Sequence, residues 1–305
     1  MKFLIIRTYN GKLIYKFMYS IIIIMNTIDT TIKNKSPLRY PGGKTRACKV
    51  LDEKLREHFG DNLQEYRTLI SPFFGGGSFE FYLQHKYKFN IIANDKFTPL
   101  SNFWNMCKHQ QTPLCGALYK YIDKVTKADF IHYRDTIMNE QDSLQLAVLY
   151  FIINRCSFSG ATLSGGFSEE ASKKRFTTSS IDRIKNLDLS TFTMNNQDFE
   201  VFINENDNSR NIIFLDPPYY LGKNSKLYGK KGDMHETFDH KKLFDCLSSK
   251  KNWMMTYNNC DYIKKLYKNF KIIETNWSYG MCNVKKKGDT SVKKQKPSSE
   301  IVIIG

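Results

Sequence analysis

A carboxylate, two prolines and an aromatic ring follow one another at Asp216, Pro217, Pro218 and Tyr219. They come directly after an apolar run, residues 212–215, which predicts a strand buried on both faces, as in a parallel sheet. Because proline has no N–H to donate, strand pairing ends there and the proline carbonyls can accept other hydrogen bonds. Two acceptors beside a ring suit a planar group that carries an NH₂, with the tyrosine stacked on its face. The alternative is a strand that simply ends in a proline turn.

A glycine-rich loop follows an earlier predicted strand. Residues 68–71 form the strand, Pro-Phe-Phe-Gly-Gly-Gly-Ser occupies 72–78, and a helix is predicted from about 79 to 88. Strand, loop and helix in this order begin a nucleotide-binding sheet, in which ligands lie at the carboxyl ends of the strands. Glu80 stands where a dinucleotide fingerprint has its third glycine, so the loop better fits a ligand without a pyrophosphate.

An acidic residue, Asp95, ends the next predicted strand, residues 89–93. Its spacing from Gly77 resembles that at which an acidic side chain binds the ribose hydroxyls of an adenosine cofactor. The alternative is an aspartate that caps a helix. Upstream, Pro-Gly-Gly at 41–43 predicts a turn that approaches a ligand closely, and Lys44 opens a helix predicted to run to about residue 59. A lysine there can bind a carboxylate, or it can be an ordinary solvated side chain.

The composition describes a folded, basic protein. Its 305 residues carry a formal net charge of +16, with 41% hydrophobic side chains. The charge favours a polyanionic partner such as nucleic acid, although a lysine-rich proteome would also produce it. The seven cysteines include no Cys-x-x-Cys pair, which favours reduced thiols in an intracellular compartment and no metal site. The apolar run near residues 20–25 is too short to span a bilayer, so we expect no membrane association.

The order of elements predicts an α/β fold with an insertion. Residues 100–154 have helical periodicity without a strand, which predicts an inserted helical lobe. Further strands are predicted at 191–194 and 253–257, and a terminal hairpin at 271–278 and 300–304. We expect a weakly ordered extension over 1–35, a catalytic domain over 36–99 and 188–305, and the lobe over 100–187.

Polar and basic side chains near the lobe are candidates for phosphate and base contacts. A Ser/Gly-rich segment after residue 154 is either a binding loop or a flexible connector. A second basic loop, 221–237, is long enough to be functional. The candidates for DNA contact are Arg155, Ser157, Ser159, Lys173, Lys174, Arg175, Lys223, Lys226 and Lys230.

Four motifs occur in a fixed order along the chain. They are Tyr40-Pro-Gly-Gly-Lys44, the loop 72–77, Asn94-Asp95 and Asp-Pro-Pro-Tyr at 216–219. This ordered set resembles the Dam-type, D12 class of DNA adenine-N6 methyltransferases over about residues 36–305. The resemblance implies a Rossmann-like, seven-stranded sheet, S-adenosylmethionine as methyl donor, and a target-recognition lobe where the helical insertion lies.

The resemblance also assigns roles by position. It places Asp216, Pro217, Pro218 and Tyr219 around the reacting amine. The positions that match cofactor contacts are Tyr40, Gly43, Lys44, Phe73, Gly75, Gly77, Asp95, Asp198, Phe199 and Asp216. Two residues depart from the family pattern: Ser71 replaces an acid that helps hold the methionine amino group, and Tyr40 replaces a tryptophan.

The sequence therefore predicts a methyltransferase that acts on a flipped-out adenine in a specific duplex DNA site. We expect a monomer, with a cognate restriction endonuclease as an open alternative among its partners. Two other functions stay open: methylation of RNA adenine, and a catalytically inactive DNA-binding protein on a methyltransferase fold. Ser71 is the feature that favours the inactive alternative.

Overall fold

A seven-stranded sheet forms the centre of the described part of the chain. The computed structural model describes residues 34–220, 238–277 and 298–305, which belong to one compact unit, Lys33–Gly305. The strands are β1 Thr68–Ser71, β2 Asn90–Asn94, β3 Phe192–Asn195, β4 Asn211–Leu215, β5 Trp253–Asn258, β6 Lys271–Trp277 and β7 Ser298–Ile304. Residues 1–33, which hold most of the predicted N-terminal extension, lie outside the described residues.

The strand order is β3-β2-β1-β4-β5-β7-β6. The first five strands in this order run parallel, and β7 lies antiparallel between β5 and β6. The order reverses between β1 and β4, and in doubly wound sheets ligands bind at that point, beyond the carboxyl ends of the strands. The predicted α/β class, the seven strands and the terminal antiparallel pair are confirmed.

Eleven α-helices lie among the described residues. They are α1 Cys48–Phe59, α2 Ser78–Tyr87, α3 Thr98–His109, α4 Gln111–Tyr119, α5 Lys127–Thr136, α6 Ser143–Cys156, α7 Glu169–Lys174, α8 Thr178–Lys185, α9 Phe199–Asn206, α10 His240–Leu247 and α11 Asp261–Leu266. A short 3₁₀ turn, Lys44–Arg46, precedes α1, so the helix predicted from Lys44 is split in two. No helix in these stretches is both long and apolar enough to cross a bilayer.

The central strand β4 is buried on both faces, because its alternate side chains enter two different hydrophobic clusters. Ile212 and Phe214 pack with α1 and α2 on one face. Ile213 and Leu215 pack with α9, α10 and α11 on the other. An apolar run without alternation is what a strand covered on both sides requires, and this is why the run ahead of Asp216 was a reliable signal.

The helices α3 to α8 follow β2 and precede β3 in the chain, and they share a core with the sheet. Helix α6 is its centre, with every side chain from Leu146 to Cys156 buried. The same hydrophobic cluster includes Ile91 of β2 and Phe192 of β3. The Phe103 and Phe151 rings stack within it, with centroids 5.6 Å apart. The bounds 100–187 for a separate lobe stay a prediction, since the packing is continuous with the sheet.

The segment that precedes Lys44 is fixed by the end of α6. The Asn154 amide accepts from the Arg39 N–H at 2.9 Å and donates to the Arg39 carbonyl at 2.7 Å. After the helix, Gly160 adopts φ +73°, and a Cβ there would come within 2.6 Å of the Arg39 Cβ and carbonyl oxygen. Only glycine allows this approach, so the Ser/Gly-rich segment is a packing surface for the first motif.

We expect Gly160→Ala to destabilise the protein by about 1–3 kcal/mol, because the methyl group meets backbone and the left-handed conformation becomes strained. Urea unfolding measures this loss. Gly116→Ala is the matched control: nothing lies within 4 Å of its Cβ position in α4, and alanine there should stabilise the helix by about 0.5–1 kcal/mol. Equal stability of the two variants would contradict the packing assigned to Gly160.

Candidate active site

An ion pair joins the first motif to the end of β4. The Lys44 Nζ lies 2.7 Å from both carboxylate oxygens of Asp216 and 3.0 Å from the Gly42 carbonyl oxygen. The lysine is 4% exposed and Asp216 is 24% exposed. The cation is therefore enclosed, while the carboxylate still faces the space beyond the strand end.

Asp216 keeps one clear acceptor position. Its Oδ1 accepts from Lys44 and also from the Thr256 hydroxyl of β5, at 2.6 Å. Among the residues that the structure describes, its Oδ2 accepts a hydrogen bond from Lys44 alone. Since a carboxylate oxygen has two lone pairs, Oδ2 can accept one further hydrogen bond, and an incoming N–H group suits it.

Tyr219 is held beside this pair. Its hydroxyl donates to Glu300 Oε2 at 2.9 Å, and its ring stacks on Tyr257 with centroids 5.8 Å apart. The Lys44 ammonium lies 5.2 Å from the ring centroid. Burial, then the nearby carboxylates of Asp216 and Glu300, raise the pKa of Tyr219 well above its ordinary value. The raised pKa favours the neutral phenol. The bond to Glu300 holds the hydroxyl end of the ring, and Tyr257 covers one of its faces.

The glycine loop between β1 and α2 takes a shape that side chains would prevent. Gly75 and Gly77 have φ +50° and +64°. A Cβ at Gly75 would lie 2.8 Å from the Tyr40 ring, and one at Gly76 would lie 2.9 Å from the Tyr40 Cβ. A Cβ at Gly43 would also be tightly packed, at 3.1 Å from the Tyr40 carbonyl oxygen. The first motif therefore lies directly on the glycine loop, and ligand binding by the two turns stays a prediction.

Asp95 braces that loop from β2. Its Oδ2 accepts from the Gly75 N–H and its Oδ1 from the Phe97 N–H, both at 3.0 Å. Burial raises the pKa of Asp95 to about 6, although these two hydrogen bonds oppose the shift. The second bond is a local turn at the start of α3, so part of the helix-capping alternative is present. Ribose binding by Asp95 stays a prediction.

Aromatic side chains form the wall next to β1 and α9. The rings of Phe73 and Phe199 have centroids 5.6 Å apart, and Phe238 packs against both. Asp198 caps α9 and pairs with Lys242 at 3.0 Å and Lys96 at 3.2 Å. Burial opposes ionisation of Asp198, but hydrogen bonds from Lys242 and the helix N–H outweigh it, and the pKa is lowered.

A second acid lies close enough to Lys44 and Asp216 for both charges to act on it. The Glu80 carboxyl, in the first turn of α2, accepts from the Ser71 hydroxyl at 2.7 Å, and both side chains are buried. Burial raises the pKa of Glu80 to about 7, and the negative charge of Asp216 adds to this, while Ser71 and the charge of Lys44 oppose it. From the sequence, Glu80 was noted only because it replaces the third glycine of a dinucleotide fingerprint, and it was not predicted as a site residue.

The structure brings five of the predicted residues into one connected set. Asp95 contacts Gly75, Gly75 contacts Tyr40, and the turn after Tyr40 carries Lys44 to Asp216. Sequence reasoning missed Thr256, Glu300 and Glu80. Two of them had a usable signal, because a buried polar side chain needs a partner. Thr256 interrupts the apolar strand β5 next to β4, and Glu300 directly precedes the apolar run of β7, on the far side of β5.

The candidate DNA contacts divide into three groups. Arg155 is 6% exposed and donates to the carbonyls of Arg175 and Pro37. Ser157 is fully buried and bonded within its own loop, so neither side chain is available to a phosphate in this conformation. Burial, with neighbouring arginines, lowers the pKa of Arg155 to about 9.

The second group is accessible, and the third cannot be placed. Lys173 and Lys174 are exposed on α7 and pair with Glu169 and Glu170, one turn back. Arg175 follows them and is exposed, and Ser159 is partly exposed in a left-handed conformation. Lys223, Lys226 and Lys230 lie outside the described residues.

Two comparisons bear on these residues. The sequence model of the D12 class N6 adenine-specific DNA methyltransferases matches residues 40–293, which is most of the chain and includes all four motifs. The chain belongs to this family. It is also similar to the Type II methyltransferase M.CviBI of Paramecium bursaria Chlorella virus NC1A, with 21% identity over 244 residues that cover 76% of this chain and 86% of the relative.

Membership of the D12 class gives the cleft its general chemistry. The family methylates adenine in DNA at N6 and needs a methyl donor. Within the residues that the structure describes, no group of three or more His, Cys, Asp and Glu side chains is placed to hold a metal ion.

We expect Lys44→Met to destabilise the protein by about 1–3 kcal/mol, because Asp216 loses the cation that neutralises it in a largely enclosed site. Urea unfolding measures the effect. Adding Asp216→Asn should recover much of the loss, since a neutral amide needs no counter-ion, and the double-mutant cycle gives the coupling. Lys49→Met, at an exposed position of α1, is the control and should be near neutral. Additive losses in the cycle would contradict a direct pair.

The raised pKa of Glu80 predicts that the free energy of unfolding depends on pH. Its folded pKa of about 7 lies above the ordinary 4.5, so its stabilising contribution is complete below 4.5 and is lost as pH rises through 7. Glu80→Gln should therefore be more stable than the wild type at about pH 8, on the order of a few kcal/mol, and the gap should close near about pH 5.

Urea unfolding at both pH values measures this difference. Glu53→Gln, on the exposed side of α1, should show no such change and is the control. Asp95 has the same sign of shift and is present in all three proteins, so it cancels from the comparison. A gap between wild type and Glu80→Gln that does not vary with pH would contradict the buried, neutral-favouring environment.

Proposed function

We propose that the protein transfers a methyl group from S-adenosylmethionine to the N6 amine of an adenine in duplex DNA. The observation that carries the proposal is Asp216, whose Oδ1 is filled by Lys44 and Thr256 while Oδ2 keeps an acceptor position. Tyr219 lies beside it as a ring held on two sides. An acceptor for an N–H next to a stacking surface suits the exocyclic amine of a flat base.

The residues of the cleft fit S-adenosylmethionine. The three glycines at 75–77 allow close approach, and a Cβ at Gly77 would meet the Phe74 ring at 2.3 Å, so the loop keeps this shape only with glycine. We assign Asp95 to the ribose hydroxyls of the donor and Asp198 to its adenosine portion. We assign binding of the donor to the ten cofactor-contact positions, which are Tyr40, Gly43, Lys44, Phe73, Gly75, Gly77, Asp95, Asp198, Phe199 and Asp216. When bound, it supplies a methyl group on a sulfonium, which is already a good leaving group.

The chain's own residues act by positioning. Asp216 Oδ2 and the Pro217 carbonyl accept from the two hydrogens of the amine, which directs the nitrogen lone pair toward the methyl carbon. If S-adenosylmethionine supplies the methyl group, positive charge would develop on N6 during the transfer, and these two acceptors would stabilise it. The proton that N6 loses would pass to water, with S-adenosylhomocysteine as the other product. No cysteine nucleophile is needed, in contrast to methylation of a ring carbon.

The adenine must leave the base stack to reach this cleft, at a cost of about a few kcal/mol. Phosphate contacts offset that cost. We assign these contacts to the exposed Ser159, Lys173, Lys174 and Arg175, and to the basic segments 223–231 and 285–296, which lie outside the described residues. The similarity to a Type II methyltransferase extends the proposal in two ways. We propose that the protein recognises a specific DNA site and that it acts in restriction-modification.

The inactive alternative rested on Ser71, which lacks the acid expected ahead of the glycine loop. Glu80 provides a carboxyl 2.7 Å from the Ser71 hydroxyl, so the cleft still contains an acid at that place. The RNA alternative has no observation of its own among the described residues. Duplex DNA is therefore the substrate that we test first.

Labelled methyl transfer from S-adenosylmethionine to duplex DNA, with mass spectrometry of the digested nucleosides, tests the proposal. We expect N6-methyladenine from the wild type and a loss of at least about 100-fold in Asp216→Ala, which removes the acceptor. Tyr219→Phe keeps the ring and loses the hydrogen bonds of the hydroxyl, including the one to Glu300, so a fall of about 10-fold is expected. Tyr219→Ala should fall further, because the ring is also lost.

Tyr119→Phe is the control for the loss of a hydroxyl, because Tyr119 lies on the exposed side of α4 and its hydroxyl donates to Asp182, away from the site. It should retain wild-type activity. Full activity in Asp216→Ala, or label in a matched RNA duplex but not in DNA, would overturn the proposal.

A further inference from the structure

Glu80 is a buried acid that the transfer step does not use. Its side chain is 3% exposed, and its carboxyl accepts from the Ser71 hydroxyl and from its own backbone N–H. No lysine, arginine or histidine of the described residues forms an ion pair with it. A buried carboxylate without a counter-ion is costly, and such groups concentrate where a ligand supplies the opposite charge.

The position of Glu80 restricts what that ligand group can be. Glu80 lies in the first turn of α2, immediately after the glycine loop, and the charges of Lys44 and Asp216 both act on it. These two neighbours neutralise each other at 2.7 Å. Of the two acids, Glu80 is therefore the one that lacks a cationic partner among the described residues, and a cationic group that donates hydrogen bonds is its natural complement.

We propose that Glu80 binds the α-ammonium group of the methyl donor's methionine portion, with the Ser71 hydroxyl holding the carboxyl in place. The inference rests on the proposed function, because it assigns a contact within the same donor site. It explains how the chain lacks an acid at Ser71 and still offers one: the carboxyl is carried by helix α2 and reaches the Ser71 side chain from there.

The unusual protonation of Glu80 gives the proposal a direct signature. Burial raises the pKa of Glu80 to about 7, so at neutral pH part of the protein carries a proton on this carboxyl. An ammonium group favours the ionised carboxylate, and the proton must leave as the ligand binds. Binding near neutral pH should therefore release protons to the buffer.

Isothermal titration calorimetry with two ligands tests the contact. S-Adenosylhomocysteine carries the α-ammonium group, and 5′-methylthioadenosine has the same nucleoside and sulfur without the amino acid. We expect Glu80→Gln to weaken binding of S-adenosylhomocysteine by about 10- to 100-fold and to leave the affinity for 5′-methylthioadenosine within about twofold. Wild-type binding of S-adenosylhomocysteine should depend on the ionisation enthalpy of the buffer near neutral pH, and that dependence should disappear in Glu80→Gln.

A rescue variant separates the charge from the fold. Ser71→Asp in the Glu80→Gln background returns a carboxyl to the same place and should recover at least part of the lost affinity. Circular dichroism and thermal unfolding of each variant establish that it is folded, and Glu53→Gln controls for the loss of an exposed acid.

Each outcome decides the inference. Unchanged binding of S-adenosylhomocysteine in folded Glu80→Gln would overturn it and leave the proposed function intact. An equal loss for both ligands would also overturn it, because the effect would then concern the shape of the glycine loop. A wild-type protein that binds neither S-adenosylmethionine nor S-adenosylhomocysteine would overturn the proposed function and this inference together.

Discussion

The site depends on one ion pair between groups that are far apart in the chain. Lys44 and Asp216 are 172 residues apart, and the 2.7 Å contacts between them hold the first motif against the end of β4. An enclosed lysine is stable only with a partner of this kind, so the pair fixes where the first motif can lie. The prolines after Asp216 release the chain from the sheet at the point where the carboxylate is needed.

The same motif connects the site to the helical region. Asn154 holds the Arg39 backbone, Arg155 donates to the Pro37 carbonyl, and Gly160 packs on Arg39. On its other side Tyr40 lies on the glycines of the glycine loop. The residues from Pro37 to Tyr40 therefore join the end of α6 to the loop between β1 and α2.

The sequence predicted the sheet well because its evidence was local. The buried run ahead of Asp216 and the glycines at 75–77 each announce their structure within a few residues. The supporting side chains were not predictable in this way, because Thr256 and Glu300 reach the site through neighbouring strands of the sheet. Arg155 illustrates the opposite error: a buried guanidinium that donates to carbonyls and an exposed one that meets phosphates have the same sequence signature.

Asp216 and Glu80 differ in charge balance, and this difference is the physical reason that the two proposals give them different ligands. Asp216 is already neutralised by Lys44, so it offers a directed acceptor with little net field, which suits a neutral amine that becomes cationic only during the reaction. Glu80 has no cation among the described residues and gains most from a group that arrives with its charge. If the roles were exchanged, the donor's ammonium would compete with Lys44, and the amine would face a carboxyl that is partly protonated near neutral pH. Pairing one acid within the protein and leaving the other for the ligand keeps the two positive groups of the reaction apart.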